Sequence, residues 1–456
     1  MQTTEFRSVD PTTGNVVAEF PATGDRQLAA AAERVSAAFV SWSALAVGER
    51  IAAVRRLATA LRDRRDAFAL LMAEEIGKPL TQGLAEIDKC ARATDFAAEH
   101  AAEWLAPETV GTEARTSRVE HAPLGPVLAI MPWNFPFWQL VRFGASALLA
   151  GNSILLKHAP NAPRCAEAIE SVCAATLPRD VLVNVFAPVS AIPSLIADRR
   201  IAGVTLTGST RAGRSVAELC GRALKPSVLE LGGSDPFVVL ADADLDLAAR
   251  TGATARLQNN GQSCIAAKRF IVHRAVANEF VERFRGELAA ARVGDPRDPS
   301  TTVGPLARRD LRDALAAQVD ASVAAGARCL LGGATPGGPG FFYPPTLLVD
   351  PTDDMPAWSE ETFGPVAVVR VVDSDDEAVR VANHSHYALG AALFTSDLDR
   401  GAVLAEKLRG GAVFVNAMVR SDPRLPFGGN DESGWGRELG RDGMRSFTRT
   451  RSVWIQ

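Results

Sequence analysis

Between residues 26 and 105, apolar side chains recur every three or four positions among Arg, Asp and Glu, as at Ile51, Val54, Leu57, Leu61, Phe68 and Leu71. That spacing lays one apolar stripe along a 3.6-residue helix, so the stretch is expected to form packed amphipathic helices. From 107 to 121 the pattern changes. Thr109, Thr112, Arg115, Ser117, Val119 and His121 alternate with small residues, as in an exposed strand or hairpin that leaves the core.

Short apolar runs then recur at 127–131, 153–156, 181–185, 204–206 and 228–231, separated by helical stretches around 137–150, 162–176, 190–198 and 211–222. Strands apolar on both faces and alternating with helices predict a parallel sheet covered on both sides, the pattern of a dinucleotide-binding fold. A second βα series runs from Phe237 to about Val415, with apolar strands near 269–273, 366–372 and 391–395, and predicts a second α/β domain. The tail from Ser446 to Ile455 alternates like an edge strand and invites pairing with another subunit.

A chain of 456 residues is long enough for two or three domains. Hydrophobic residues at 47% and charged residues at 22% fit an ordinary globular protein. With a net charge of −4 and no basic tract interleaved with aromatics, nucleic acid is not an expected partner. The first residues, Met1 to Arg7, carry no apolar segment behind a basic start, so no secretory signal is read and a cytoplasmic location is expected. The apolar stretch 125–141 is broken by Pro132, Asn134 and Pro136 and closed by Arg142, which suits a buried strand and turn better than a membrane span. The Gly-Pro cluster 332–340 reads as a surface loop.

Five cysteines, Cys90, Cys165, Cys173, Cys220 and Cys329, read as small buried hydrophobes. None forms a CxxC pair or neighbours a histidine at ligand spacing, so neither a metal site nor a disulfide framework is expected. Cys264 differs. It closes the run Asn259-Asn260-Gly261-Gln262-Ser263-Cys264, where amide donors stand close behind a thiol that attacks as thiolate. Glu230 begins Glu230-Leu231-Gly232-Gly233, where two glycines let backbone approach whatever the carboxylate serves. Gly208-Ser209-Thr210-Arg211-Ala212-Gly213 follows a strand and opens a helix, a context that suits a diphosphate, although glycine after a strand is more often a turn. Asn134, between aromatics in Met131-Pro132-Trp133-Asn134-Phe135-Pro136, has an amide that suits an oxyanion or an ordinary asparagine turn. Lys157 follows a strand where a cation reaches a nucleotide phosphate or ribose, against the bland reading of a solvated lysine. The segment Gly434 to Gly440 lacks a preceding strand and reads as structural.

Together with Glu361-Thr362-Phe363-Gly364-Pro365 and Pro426-Phe427-Gly428-Gly429, these motifs stand in the order and spacing of the aldehyde dehydrogenase superfamily, which the chain resembles over essentially its whole length. The resemblance implies a Rossmann-like cofactor domain over 1–106 and 122–232. It also implies an α/β catalytic domain over 233–425 and a small β oligomerisation arm over 107–121 and 441–456, in a homodimer or homotetramer. It implies that Cys264 forms a thiohemiacetal with an aldehyde, that Asn134 and the Cys264 N–H hold the oxyanion, and that hydride transfer to nicotinamide leaves a thioester. Glu230 would then activate water. Lys157 would contact the adenosine ribose, Gly208 and Ser209 the diphosphate, and Glu361 the nicotinamide ribose, with Trp133 and Phe363 beside the cofactor.

Within the superfamily the chain is most similar to bacterial succinate-semialdehyde dehydrogenases, in Asn134-Phe135-Pro136, Lys157-His158-Ala159 and 258–264. That similarity makes Arg142 the expected fork for a substrate carboxylate. Gln258 and Ser421 are the further expected substrate contacts. Gln258 stands where some relatives place a second arginine, and Ala266 where some place a second cysteine. Pro160 replaces a glutamate that would repel a 2′-phosphate, so NADP is the expected cofactor, with NAD also accepted. The alternatives are a dehydrogenase for aldehydes without an acid group, a CoA-acylating enzyme, against which Glu230 argues, and a catalytically silent binding protein, against which Cys264 and Glu230 argue.

Overall fold

In the computed structural model, residues 6–456 are described. The five apolar runs form the parallel strands Val127–Ile130, Ile154–Lys157, Leu182–Asn184, Gly203–Thr207 and Ser227–Glu230. The first of these lies at the middle: the chain steps outward from it through Ile154–Lys157 to Leu182–Asn184, then crosses to Gly203–Thr207 on its other side. This reversal is a topological switch point, where the carboxyl ends of adjacent strands open a crevice. Ile130 and Leu206 are register partners there, so the segments that follow them, 131–136 and 208–213, flank one crevice.

The helices Pro136–Leu149, Pro163–Ala174, Ile192–Ala197 and Thr210–Ala223 connect these strands. Pro136–Leu149 is buried along its whole length, with proline in its first turn, where a missing N–H costs nothing. Phe137 and Trp138 donate their N–H groups to the Glu86 carboxylate at 3.1 and 2.9 Å. The expected amphipathic region forms four helices, Asp25–Ala44, Val47–Asp63, Arg65–Ile76 and Leu80–Trp104, with Val54, Leu57, Leu61 and Phe68 in the core.

A second sheet of seven strands is parallel except at its Arg328–Leu331 edge and runs 328–331, 346–349, 366–372, 267–273, 235–239, 390–394, 412–415. Phe237, Phe270, Phe280, Phe284 and Phe394 fill one of its faces. The chain passes from Glu230, the last residue of the first sheet, to Asp235–Val239 in the second, and Cys264 lies just before Ala267–His273. Glu230 and Cys264 therefore both belong to the seam between the sheets.

A third, antiparallel sheet joins Thr448–Ile455 to Thr116–Pro123 and Glu108–Thr109, in register from Thr448↔Pro123 to Ile455↔Thr116. Its central strand runs two residues past the expected limit at 121. Trp454 and Ile455 are exposed on its outer strand. Late in the chain, Gly434–Trp435 returns to the first sheet and pairs antiparallel with Ser227–Glu230. Only glycine fits at 434, because φ is +110° and a Cβ would lie 1.9 Å from the Leu229 carbonyl oxygen.

Cys90, Cys165, Cys173 and Cys220 are buried as expected, but Cys329 is exposed, because it lies on the sheet's outer edge strand. Among the described residues no helix is long and apolar enough to cross a membrane, and no cluster of three or more His, Cys, Asp or Glu could hold a metal.

Candidate active site

The helix Leu245–Leu257 stops at Gln258, and Asn259, Asn260 and Gly261 all take positive φ. Asparagine tolerates the left-handed region better than other non-glycine residues. Gly261 is obligatory, since a Cβ there would lie 2.2 Å from the Gly364 carbonyl carbon. The amides of this run hold the turn itself. Asn260 Nδ2 donates to Gly77 O at 2.8 Å and Pro305 O at 2.9 Å, while its Oδ1 accepts from Gly304 N at 2.7 Å. Gln262 Oε1 accepts from Ala307 N at 2.9 Å, and Asn259 Nδ2 donates to the carbonyl oxygens of Asn134 and Gln262 at 2.7 and 3.0 Å. The amide donors expected behind Cys264 are thus spent on its loop, with Asn134 the exception. Asn134 Nδ2 donates to Gln262 O at 3.1 Å and keeps its second N–H for the site.

Cys264 is half-buried at the end of this turn. Burial pushes its thiol up to about 12, the Glu230 and Glu361 carboxylates add to the rise, and Arg142 and Lys268 oppose it. Lys268 is buried and donates to the carbonyl oxygens of Ser263, Cys264 and Ala266 at 3.1, 2.9 and 3.2 Å. It fixes the nucleophile's loop with a cation, a role no sequence motif signalled.

Glu230 is 2% exposed, and neither carboxylate oxygen accepts a hydrogen bond from a described residue, so both remain available to a reactant. Gly428 makes this possible: a Cβ there would come within 2.9 Å of Glu230 Oε1. Burial raises the Glu230 pKa well above the carboxylate range; Arg142 opposes the rise and Glu438 adds to it. A buried carboxyl whose pKa is raised suits a general base.

Arg142 does not offer the free fork expected of it. Its side chain is fully buried, its Nε donates to the Glu438 carboxylate, and one terminal nitrogen donates to Thr207 Oγ1 at 3.3 Å and lies 3.8 Å from Glu230 Oε2. Its guanidinium also lies over the Phe427 ring at 4.6 Å. Two buried carboxylates need this cation, which makes it part of Glu230's surroundings. Glu438 comes from the glycine-rich segment read as merely structural, and its pairing with Arg142 spans 296 residues. Of the other expected substrate contacts, Gln258 is half-buried at the end of its helix. Ser421 is buried and its Oγ accepts from Lys89 Nζ at 2.6 Å.

Of the expected cofactor residues, Lys157 ends a strand beside the switch point, and Trp133, Gly208 and Ser209 follow the strands that flank it. Gly208 N donates to Glu230 O at 2.9 Å, and Ser209 caps the helix Thr210–Ala223 by accepting from Ala212 N at 3.3 Å. The start of this helix is a favourable place for a diphosphate. Lys157 ends its strand, largely buried. Glu361 Oε1 accepts from Gly233 N at 3.0 Å, and a Cβ at Gly232 would meet Glu361 Oε2 at 2.6 Å. The Phe363 ring meets Trp133 edge-on, with centroids 5.8 Å apart. Glu361 and Phe363 border an open cavity of about 480 Å³. A helix start suited to an anion and a carboxylate held against Gly232 and Gly233, just past the neighbouring strand, fit a dinucleotide. His158 adds no cation, because burial lowers its pKa to about 4.

The aldehyde dehydrogenase family model matches residues 1–453. The chain is 46% identical to the probable succinate-semialdehyde dehydrogenase [NADP(+)] of Synechocystis sp. (strain ATCC 27184 / PCC 6803 / Kazusa), over 98% of this chain and 99% of that protein. It is 43% identical to the succinate semialdehyde dehydrogenase [NAD(P)+] Sad of Escherichia coli (strain K12), over 98% and 97%. The solved succinic semialdehyde dehydrogenase of Streptococcus pyogenes in complex with NADP+ superposes with a TM-score of 0.96 at 36% identity, covering 99% of each chain. Two α/β sheets meeting at a cysteine and a buried glutamate whose oxygens accept no hydrogen bond from the described residues accord with these matches, and the chain belongs to the aldehyde dehydrogenase family.

Proposed function

We propose that this protein oxidises succinate semialdehyde to succinate with NADP, and with NAD as a second cofactor. The observation that carries the chemistry is the presence, at one seam, of the Cys264 thiol and the buried Glu230 carboxylate, whose oxygens accept no hydrogen bond from the described residues. Cys264 Sγ adds to the carbonyl carbon, its proton passing to Glu230, while Asn134 Nδ2 and the Cys264 N–H donate to the oxygen that becomes negative. Lys157, Gly208, Ser209 and Glu361, with Trp133 and Phe363 alongside, would hold the nicotinamide cofactor, which would supply the acceptor for the aldehyde hydrogen and its electron pair. Glu230 passes the thiol's proton to solvent, then takes a proton from the water that attacks the thioester, and Cys264 leaves as thiolate. Arg142, tied to Glu438, moderates the charge on Glu230.

The names of the relatives support the choice of semialdehyde and of cofactor. In the proposed division, 1–106 and 122–232 bind the cofactor, with Gly434–Trp435 added to their sheet, and 233–425 carries the nucleophile. The sheet built on Thr116–Pro123 and Thr448–Ile455 is the oligomerisation arm of a cytoplasmic homodimer or homotetramer, as its exposed outer strand favours. The test is kcat/KM for succinate semialdehyde and for butanal with each cofactor. A clear preference for the acid is expected; equal or better use of butanal overturns the substrate assignment.

A further inference from the structure

One cation beside the nucleophile has no part in the chemistry above. Lys89 lies one turn after Glu86 on the helix Leu80–Trp104. Glu86 is already engaged by Lys78 and by the N–H groups of Phe137 and Trp138. The Lys89 ammonium lies 4.1 Å over the Trp138 ring and donates to Ser421 Oγ at 2.6 Å. Among the described residues no carboxylate comes within 4.0 Å of it. Burial and the neighbouring Arg142 lower its pKa to about 8, while Cys90, Glu86 and Cys264 favour its charged form, so it is mostly protonated at neutral pH. Trp138, under the ammonium, stands in the first turn of the helix that follows Asn134, and Cys264 packs against the apolar core that contains Trp138.

A largely desolvated ammonium without an anion is an unfavourable arrangement that an incoming carboxylate relieves. The other cation nearby, Arg142, is committed to Glu438 and Glu230. We propose that Lys89 is the residue that recognises the substrate's carboxylate, with Ser421 as a second donor and Trp138 as the wall that holds the ammonium in place. The Ser421 hydroxyl accepts from Lys89 and so has its own O–H free to donate to the same carboxylate. The site then selects short aldehydes that carry an acid group at the far end. This assignment rests on the acid-aldehyde reading of the substrate.

The test is the ratio of kcat/KM for succinate semialdehyde to kcat/KM for butanal in wild type, Lys89→Met, Lys89→Arg and Ser421→Ala. Loss of a charge-assisted contact is expected to lower that ratio about 10- to 100-fold in Lys89→Met, mainly through KM for the acid. Lys89→Arg, which keeps the charge, should lose less than Lys89→Met, and Ser421→Ala a few-fold. An unchanged ratio in Lys89→Met, or a larger loss in Lys89→Arg than in Lys89→Met, overturns the assignment. Should Lys89→Met fail to fold, Lys89→Gln replaces it as the neutral variant in the same comparison. Wild type without preference for the acid defeats the substrate reading itself; wild type with that preference, retained in the neutral Lys89 variant, defeats only the role of Lys89.

Discussion

Lys268 Nζ donates to the backbone carbonyl oxygen of Cys264 at 2.9 Å, with two further carbonyls of the same loop around it and Glu361 at 3.8 Å. The buried cation both clasps the turn and lowers the thiol's pKa. Lys268→Met is expected to slow alkylation of Cys264 by iodoacetamide and move its pH midpoint upward, with kcat falling about 10- to 100-fold. An unchanged alkylation profile would show that the charge is not felt at the sulfur.

The burial of Arg142 leads to a different expectation from that of a substrate fork. Removing the cation leaves Glu230 and Glu438 buried and unneutralised, a loss of about 3–5 kcal/mol in stability. Arg142→Met should therefore lower the melting temperature and reduce turnover of succinate semialdehyde and butanal alike. Selective loss on the acid would restore Arg142 as a carboxylate anchor.

The raised pKa of Glu230 sets two pH dependences. As a base it works deprotonated, so kcat should fall as pH drops through its folded value, and Glu230→Gln should lose about 10²–10⁴-fold in kcat and slow the first turnover's formation of reduced cofactor as well. Stability runs the other way. Because the folded pKa lies above the unfolded one, about 4.3, the protonated form's contribution is fully present below that value and lost as pH rises through the folded pKa. Glu230→Gln should match wild type in thermal melting near pH 4 and exceed it at pH 8.

The placement of Lys157 at the end of a strand and of Asn134 just after one was legible because local pattern and register agree there. Glu438, Lys89 and Lys268 were not. Glu438 meets Arg142 across 296 residues and Lys89 meets Ser421 across 332, distances over which neither periodicity nor turn chemistry carries information. Lys268 sits in an apolar strand, where a lone lysine gives no hint that three carbonyls surround it. Arg142 was misplaced for the same reason: its helix was read correctly, its partner not at all. The amides at 259–262 were read as catalytic donors because sequence shows their chemistry but not that the backbone's reversal consumes them.

Cofactor choice is open to a single substitution at Pro160, which is half-buried and whose carbonyl oxygen accepts from Arg7 N at 3.0 Å, a contact any residue preserves. Pro160→Glu places a carboxylate where a 2′-phosphate is expected, and His158 is neutral and gives no compensation. KM for NADP is expected to rise at least tenfold with a smaller change for NAD, measured with succinate semialdehyde saturating. An equal change for both would separate Pro160 from the 2′ position.

The pairing of Gly434–Trp435 with Ser227–Glu230 also governs when the protein becomes an enzyme during synthesis. The border of the first sheet, the glycine that leaves room for the base and the acid that steadies Arg142 all come from 428–438, far along the chain from the strand they complete. A nascent chain that has emerged as far as Cys264 therefore holds base and nucleophile in sequence but lacks the strand and the acid that complete their surroundings, so the catalytic seam depends on residues synthesised well after it.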